Sequence, residues 1–278
     1  MNRITRLVGS ILFIFSTGAV AERVEKSETW TETFEVGTDK PSLDIDNIWG
    51  DVNVRPGRPG EIRVTITEQR SAPDQRRFDR SLETLPLNIE SDDRHVILYV
   101  GRQARNWRGR NNCRGCEVNY RFDAAVPPGT VLDVKTVNDG DIDITGIKGS
   151  VSADNVNGSI AVTRVQNCGE LNTVNGQVDV DFLTRPDESC NISTINGDIT
   201  LRLPGDTDMD VAMDMFNGRM WTQIPVDPLA LPAKVEHIEK NGRHQYRIEQ
   251  YAGVRIGDGG PVFTIKSMNG DIRIQKTN

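Results

Sequence analysis

Histidine is scarce in this chain. His95, His237 and His244 are the only three in 278 residues, and none has a histidine or cysteine neighbour at metal-ligand spacing. All three are therefore read as ordinary strand or turn residues. There is also no Gly-x-Ser-x-Gly elbow, no His-Glu-x-x-His pair and no phosphate loop, so no nucleophile with its base stands out. Positive charge is in deficit, with 33 Lys+Arg against 40 Asp+Glu for a net charge of −7, which argues against general nucleic-acid binding. Past residue 21, no apolar run approaches the length that crosses a membrane as a helix. The expectation is a protein without a cofactor or metal that is not an enzyme.

The first 21 residues have the form of an export signal. Arg3 and Arg6 precede an apolar stretch over residues 7–15, and Ala19-Val20-Ala21 supplies the small-x-small cleavage pattern. No cysteine follows the cleavage point, so a bacterial lipid anchor is not expected. With Arg3 and Arg6 removed from the 33 basic residues, 31 remain against 40 acidic ones, and the charge becomes −9. The expected location is the periplasm, or the cell surface and beyond.

The dominant feature is a short phrase that recurs. It reads Val137-Asn138-Asp139-Gly140-Asp141-Ile142, Val156-Asn157-Gly158-Ser159-Ile160, Val174-Asn175-Gly176-Gln177-Val178, Ile195-Asn196-Gly197-Asp198-Ile199 and Phe216-Asn217-Gly218-Arg219-Met220. Outlying copies are Ile48-Trp49-Gly50-Asp51-Val52 and Met268-Asn269-Gly270-Asp271-Ile272. From Gly140 to Gly218 the glycines are 18, 18, 21 and 21 residues apart. A period near 20 marks stacked units that cannot bury their apolar sides alone. After each glycine, apolar residues alternate with polar ones, the pattern of a strand with one buried face, and a second alternating run precedes each phrase. One repeat is thus two strands and two turns.

Asn-Gly between strands often signals a hairpin, which would make the chain an antiparallel meander or sandwich. In a hairpin, however, Val156, Val174 and Ile195 would share a face with Ser159, Gln177 and Asp198, mixing apolar and polar columns. A β-solenoid corner, like a turn of a β-helix, removes the conflict by letting Val174 and Val178 both point inward. It also stacks Asn157, Asn175, Asn196 and Asn217 as a ladder, about 4.8 Å apart. The all-β solenoid with an N-terminal β excursion is therefore the expected fold. Gly50, Asn269 and Gly270 are the outlying members of this structural turn.

Four cysteines in an exported chain point to disulfides. Cys168 and Cys190 fall seven and six residues before Asn175 and Asn196, so stacking brings them within bridging distance. That leaves Cys113 for Cys116, read as a loop-closing bridge in preference to a redox pair or half a zinc site. The domain reading is signal peptide 1–21, an N-terminal β region 22–131 and a repeat region 132–278 with a hairpin excursion at 225–262. Within the N-terminal region, residues 72–85 form the one short helix expected. Strands at 87–90 and 95–100 flank a turn at Asp92-Asp93. Asp139, Asp141, Asp143 and Asp258 match no calcium-loop spacing and are read as turn residues.

Pro127-Pro128-Gly129-Thr130-Val131-Leu132-Asp133-Val134-Lys135-Thr136-Val137 and the Gly-Asp-Ile repeats that follow resemble the bacterial putative adhesin domain family of unknown function. That resemblance implies an N-terminal β region, a solenoid of Asn/Ser-Gly-Asp repeats and a non-enzymatic envelope or surface protein. The cysteines and an arginine-rich loop are additions to its pattern. That loop, Arg102, Arg105, Trp107, Arg108, Arg110 and Arg114, holds no acid and reverses the local charge. Arginine forks suit phosphate and carboxylate oxygens, and an indole packs on a sugar or lipid face. The expected partners are anionic envelope glycan, lipid head groups or an envelope protein, without nucleic acid. A solvated hairpin tip is the plainer reading of the same residues. The functional expectation is adhesion or binding through a sheet-built surface. The alternatives are an envelope-stress sensor acting by protein contact and a polysaccharide-active enzyme with carboxylates held in a groove, although the alternation of Asp179 and Asp181 on one strand face is what any soluble solenoid shows.

Overall fold

The computed structural model describes residues 7–10, 23–37, 39–101, 113–231, 234–240, 243–249 and 252–277; for 7–10 and for 234–249 it describes the backbone alone. Among these residues the protein is all-β, with two open eleven-stranded sheets, a separate two-stranded ribbon and the single helix Gln75–Thr84.

Each repeat contributes one strand to each sheet. The pairs are Ser42–Asp46 with Val52–Pro56, Val131–Lys135 with Ile142–Thr145, Val151–Asp154 with Ile160–Val165, and Glu170–Asn175 with Val178–Phe182. Three more follow: Cys190–Asn196 with Ile199–Leu203, Met209–Asn217 with Met220–Thr222, and Val262–Asn269 with Ile272–Lys276. Neighbouring repeats pair in parallel throughout, where a meander would pair antiparallel. The register sets like on like: Val52, Ile142, Ile160, Val178, Ile199 and Ile272 form one column, and every member is fully buried. Each such side chain contributes about 1.5–3 kcal/mol of burial, so the core grows by a fixed increment per repeat.

Two findings depart from the sequence reading. Residues 262–276, last in the chain, lie between repeats 190–203 and 209–222. Asn217 therefore does not follow Asn196 in the ladder; Asn269 intervenes. The reason is that Ala252–Ile256 covers the outer edge of Met209–Asn217 in antiparallel fashion, so the returning chain enters on the inner side. The second departure is the residue before each asparagine, which does not point inward. The period of two runs on through Leu171 and Thr173, both buried, and leaves Val174 on the outer side. Val156 and Ile195 are likewise exposed.

The N-terminal excursion extends both sheets past the first repeat. Val24–Glu35, Glu61–Ala72 and Glu117–Val126 pair antiparallel and join one sheet at Val52–Pro56. His95–Val100 and Leu87–Ser91 join the other at Ser42–Asp46. A single hydrophobic cluster runs from Trp30 to Ile274. The helix starts where Asp74 accepts the Arg77 amide at 2.9 Å, an N-cap that satisfies an otherwise free donor. No helix of the described residues is long and apolar enough to cross a membrane.

Candidate functional site: the corner of the stack

The recurring phrase builds one corner of the stack, and each of its positions has a separate physical task. The asparagines form a one-way ladder. Asn157 Nδ2 donates to Asn138 Oδ1 at 3.0 Å, Asn175 to Asn157 at 2.8 Å, Asn196 to Asn175 at 2.7 Å, Asn269 to Asn196 at 2.9 Å and Asn217 to Asn269 at 2.9 Å. The glycine is required by close approach: a Cβ at Gly158, Gly176, Gly197 or Gly270 would overlap the carbonyl oxygen of the neighbouring repeat's glycine. Those carbonyls are satisfied from the inside. Thr136 donates to Gly50 O at 3.1 Å, Asn155 to Gly140 O at 2.9 Å, Thr173 to Gly158 O at 2.9 Å and Thr194 to Gly176 O at 3.0 Å. All four donors are buried, so each contact offsets the cost of a desolvated carbonyl.

The residue after glycine caps the next repeat. Asp51 accepts the Asp141 amide at 3.1 Å, Asp141 accepts that of Ser159 at 2.7 Å, and Asp198 accepts that of Asp271 at 2.8 Å. Asp198 is held below the usual carboxylate range, first by its hydrogen bond from Arg273 and then by the Asp271 amide. These turn acids thus serve the stack, and no group of three or more His, Cys, Asp or Glu suited to a metal occurs among the described residues.

Beside the exposed ladder asparagines, this corner also shows apolar side chains to solvent. Val156 is 37% exposed, Ile195 43%, Met268 52% and Phe216 80%, and Trp221 stands beside them at 53%. Val174, between Val156 and Ile195, is only half-exposed, and over the three adjacent repeats of Ile195, Met268 and Phe216 exposure rises toward the end formed by residues 209–222. The signal was present in the sequence as the apolar residue before every asparagine.

Of the arginine loop, Arg102, Arg105, Trp107, Arg108 and Arg110 lie outside the described residues. Arg114 is exposed. Both flanks of the loop meet the helix region: the Gly101 amide donates to Pro86 O at 2.8 Å, and Cys113, bridged to Cys116, lies 3.2 Å from the Arg77 carbonyl oxygen. A bridged sulfur carries no proton, so this is packing. Cys168 is bridged to Cys190 across neighbouring repeats, with Cα atoms 5.4 Å apart. His95 is exposed and sits 3.0 Å from Asp92. Asp92 is lowered to about 2 by the Arg94 amide first and His95 second. The side chains of His237 and His244 lie outside the description. Asp179 pairs with Arg202 at 3.4 Å, and Asp181 accepts from Thr277 at 3.3 Å.

A cavity of about 650 Å³ opens beside the first corner, where the N-terminal strands meet the stack. Its wall includes Trp49, Asp139, Ser27, Gln69 and Asn119. The sequence marks it only through two irregular copies of the phrase.

The profile of the Toastrack DUF4097 family matches residues 130–275. No curated protein matches the chain. Among solved structures, a putative cell adhesion protein from Clostridium sporogenes is similar at 13% identity and a TM-score of 0.39, with 92% of this chain and 100% of that one covered. A putative adhesin from Bacteroides fragilis is similar at 12% identity and 0.32, with 90% and 97% covered.

Proposed function

The chain belongs to the Toastrack DUF4097 family, and on that premise we propose that it is a non-enzymatic protein exported to the bacterial envelope. In this reading it is a β-solenoid that works by binding. Its partner is another envelope protein, held along the corner that carries the asparagine ladder. One observation carries the reading: Ile195, Met268 and Phe216, on three adjacent repeats, face solvent in register, with exposure rising to 80%. Single exposed apolar residues are ordinary, whereas a contiguous row marks a contact surface. The rigidity of stacked sheets holds such a row flat at small entropic cost on binding.

The test is co-sedimentation of the mature protein with envelope fractions and with peptidoglycan, at low and high salt. The triple variant Ile195→Ser, Met268→Ser, Phe216→Ser runs beside it, together with a second variant carrying serine at Arg102, Arg105, Arg108, Arg110 and Arg114. Binding that survives high salt and is lost in the triple variant supports the corner. Salt-sensitive binding lost only with the arginines moves the site to the loop and an anionic glycan or lipid head group. Absence of binding to any fraction rejects the proposal.

A further inference from the structure

Two corners break the pattern, and both breaks face one cavity. The first repeat carries Trp49 where every other corner has the ladder asparagine, and Trp49 pairs with Asn138 at that position. The second repeat inserts Asp139 between Asn138 and Gly140, a residue that the corners at Asn157, Asn175 and Asn196 do without. Asp139 has φ 49°, a left-handed conformation that a non-glycine residue adopts at a cost. Trp49 ends the ladder and, half-buried, lays part of its indole on the core, whereas Asp139 stores strain with no packing gain. A local rule broken without structural gain, as at Asp139, points to function.

Both side chains line the cavity of about 650 Å³, a size suited to a small ligand, for which pockets run about 300–1,000 Å³. Opposite them, Ser27, Gln69 and Asn119 stand in register across three antiparallel strands and offer hydroxyl and amide groups. The charged groups are unequally committed. Lys26 pairs with Glu28 at 2.6 Å, buried Arg70 pairs with Glu68, and Glu117 pairs with Arg23 at 3.2 Å. That leaves Glu25 and Asp139 as lining carboxylates without an ion-pair partner among the described residues.

We infer that this cavity is a glycan-binding site for a neutral or amino-bearing pyranose, with Trp49 as its platform and Asp139 as its acidic edge. An indole offers an apolar face to the C–H side of a sugar ring. The polar trio meets ring hydroxyls, and the carboxylates of Glu25 and Asp139 attract an amine and repel uronate or phosphate. The site is separate from the apolar corner, so it stands or falls independently of the protein-binding reading.

The experiment titrates the ¹⁵N-labelled mature protein with tri-N-acetylchitotriose, with the glucosamine trimer and with trigalacturonate. The Trp49 indole resonance is the one missing from Trp49→Asn. That variant restores the ladder residue but loses the indole's packing on the core, so its Tm is measured beside its binding to separate lost contact from lost folding. The expected result is that the Trp49 resonance shifts with the first two sugars and not with trigalacturonate. Trp49→Asn then weakens binding at least tenfold. Asp139→Gly, which suits the left-handed backbone, weakens the glucosamine trimer more than the acetylated one and carries the test if Trp49→Asn fails to fold. A Trp49 resonance indifferent to all three sugars, or a preference for trigalacturonate, overturns the inference.

Discussion

At the scale of single residues, the acids of this protein fall into two groups of opposite sign. Asp44 is raised above its ordinary value of 3.8, by burial first and by Asp133 second, against the opposing pull of His95 and Lys135. A carboxyl raised by folding adds stability that is complete below its unfolded pKa and is lost as pH climbs through the folded one. At neutral pH its ionised form therefore burdens the fold. Asp210 is lowered by its hydrogen bonds from Arg255, at 2.8 and 2.9 Å. Its contribution is complete above 3.8 and is lost as pH falls through the folded value. Asp44→Asn should accordingly raise Tm at pH 7, and Asp210→Asn should lower it. Both differences should shrink toward zero as thermal melts are repeated at progressively lower pH. The alternating strand pattern placed both acids on outward faces. Their neighbours come from strands distant in sequence, which is why the opposite shifts could not be read from the sequence.

At the scale of the element, the corner explains why its phrase tolerates so little change. Glycine sits where two repeats come closest, asparagine zips them together, and a buried threonine meets the glycine carbonyl. Gly176→Ala would drive a Cβ into the Gly158 carbonyl and should cost about 3 kcal/mol through overpacking. Gly129 has nothing within 4 Å of its hypothetical Cβ, so Gly129→Ala should stay within about 0.5 kcal/mol. Urea denaturation of the two variants measures both. Equal losses would mean that close approach is not what the repeat glycines serve. The glycine and asparagine positions were legible from spacing alone, but not the placing of Asn269 between Asn196 and Asn217. Thr173 and Thr194 were not, because a threonine in a strand looks like surface until the carbonyl it meets is known.

At the scale of the whole molecule, the last repeat is a wedge. Residues 262–276 are the parallel partner of 209–222 on one side and of 190–203 on the other. The penultimate repeat therefore cannot join the stack until the end of the chain arrives. Deleting residues 262–278 should remove hydrogen-exchange protection from 209–222 as well as from the deleted segment, while 131–182 keeps its protection. Retained protection over 209–222 would show that this repeat docks without the wedge. At the opposite end, Leu7–Ser10 is an edge strand on Val24–Glu35, so the proposed cleavage after residue 21 would remove an edge and leave the interior pairing in place. The sequence by itself determined the strands of the repeats, the repeat length, the turn glycines and both cysteine pairs, because each follows from local periodicity or from a constant offset between copies, whereas the strand Val24–Glu35 was not marked by it. The order of the final two repeats, the outward apolar column and the cavity at Trp49 and Asp139 were decided only by tertiary structure. Each depends on which distant segments meet, and a single period along the chain carries no information about that.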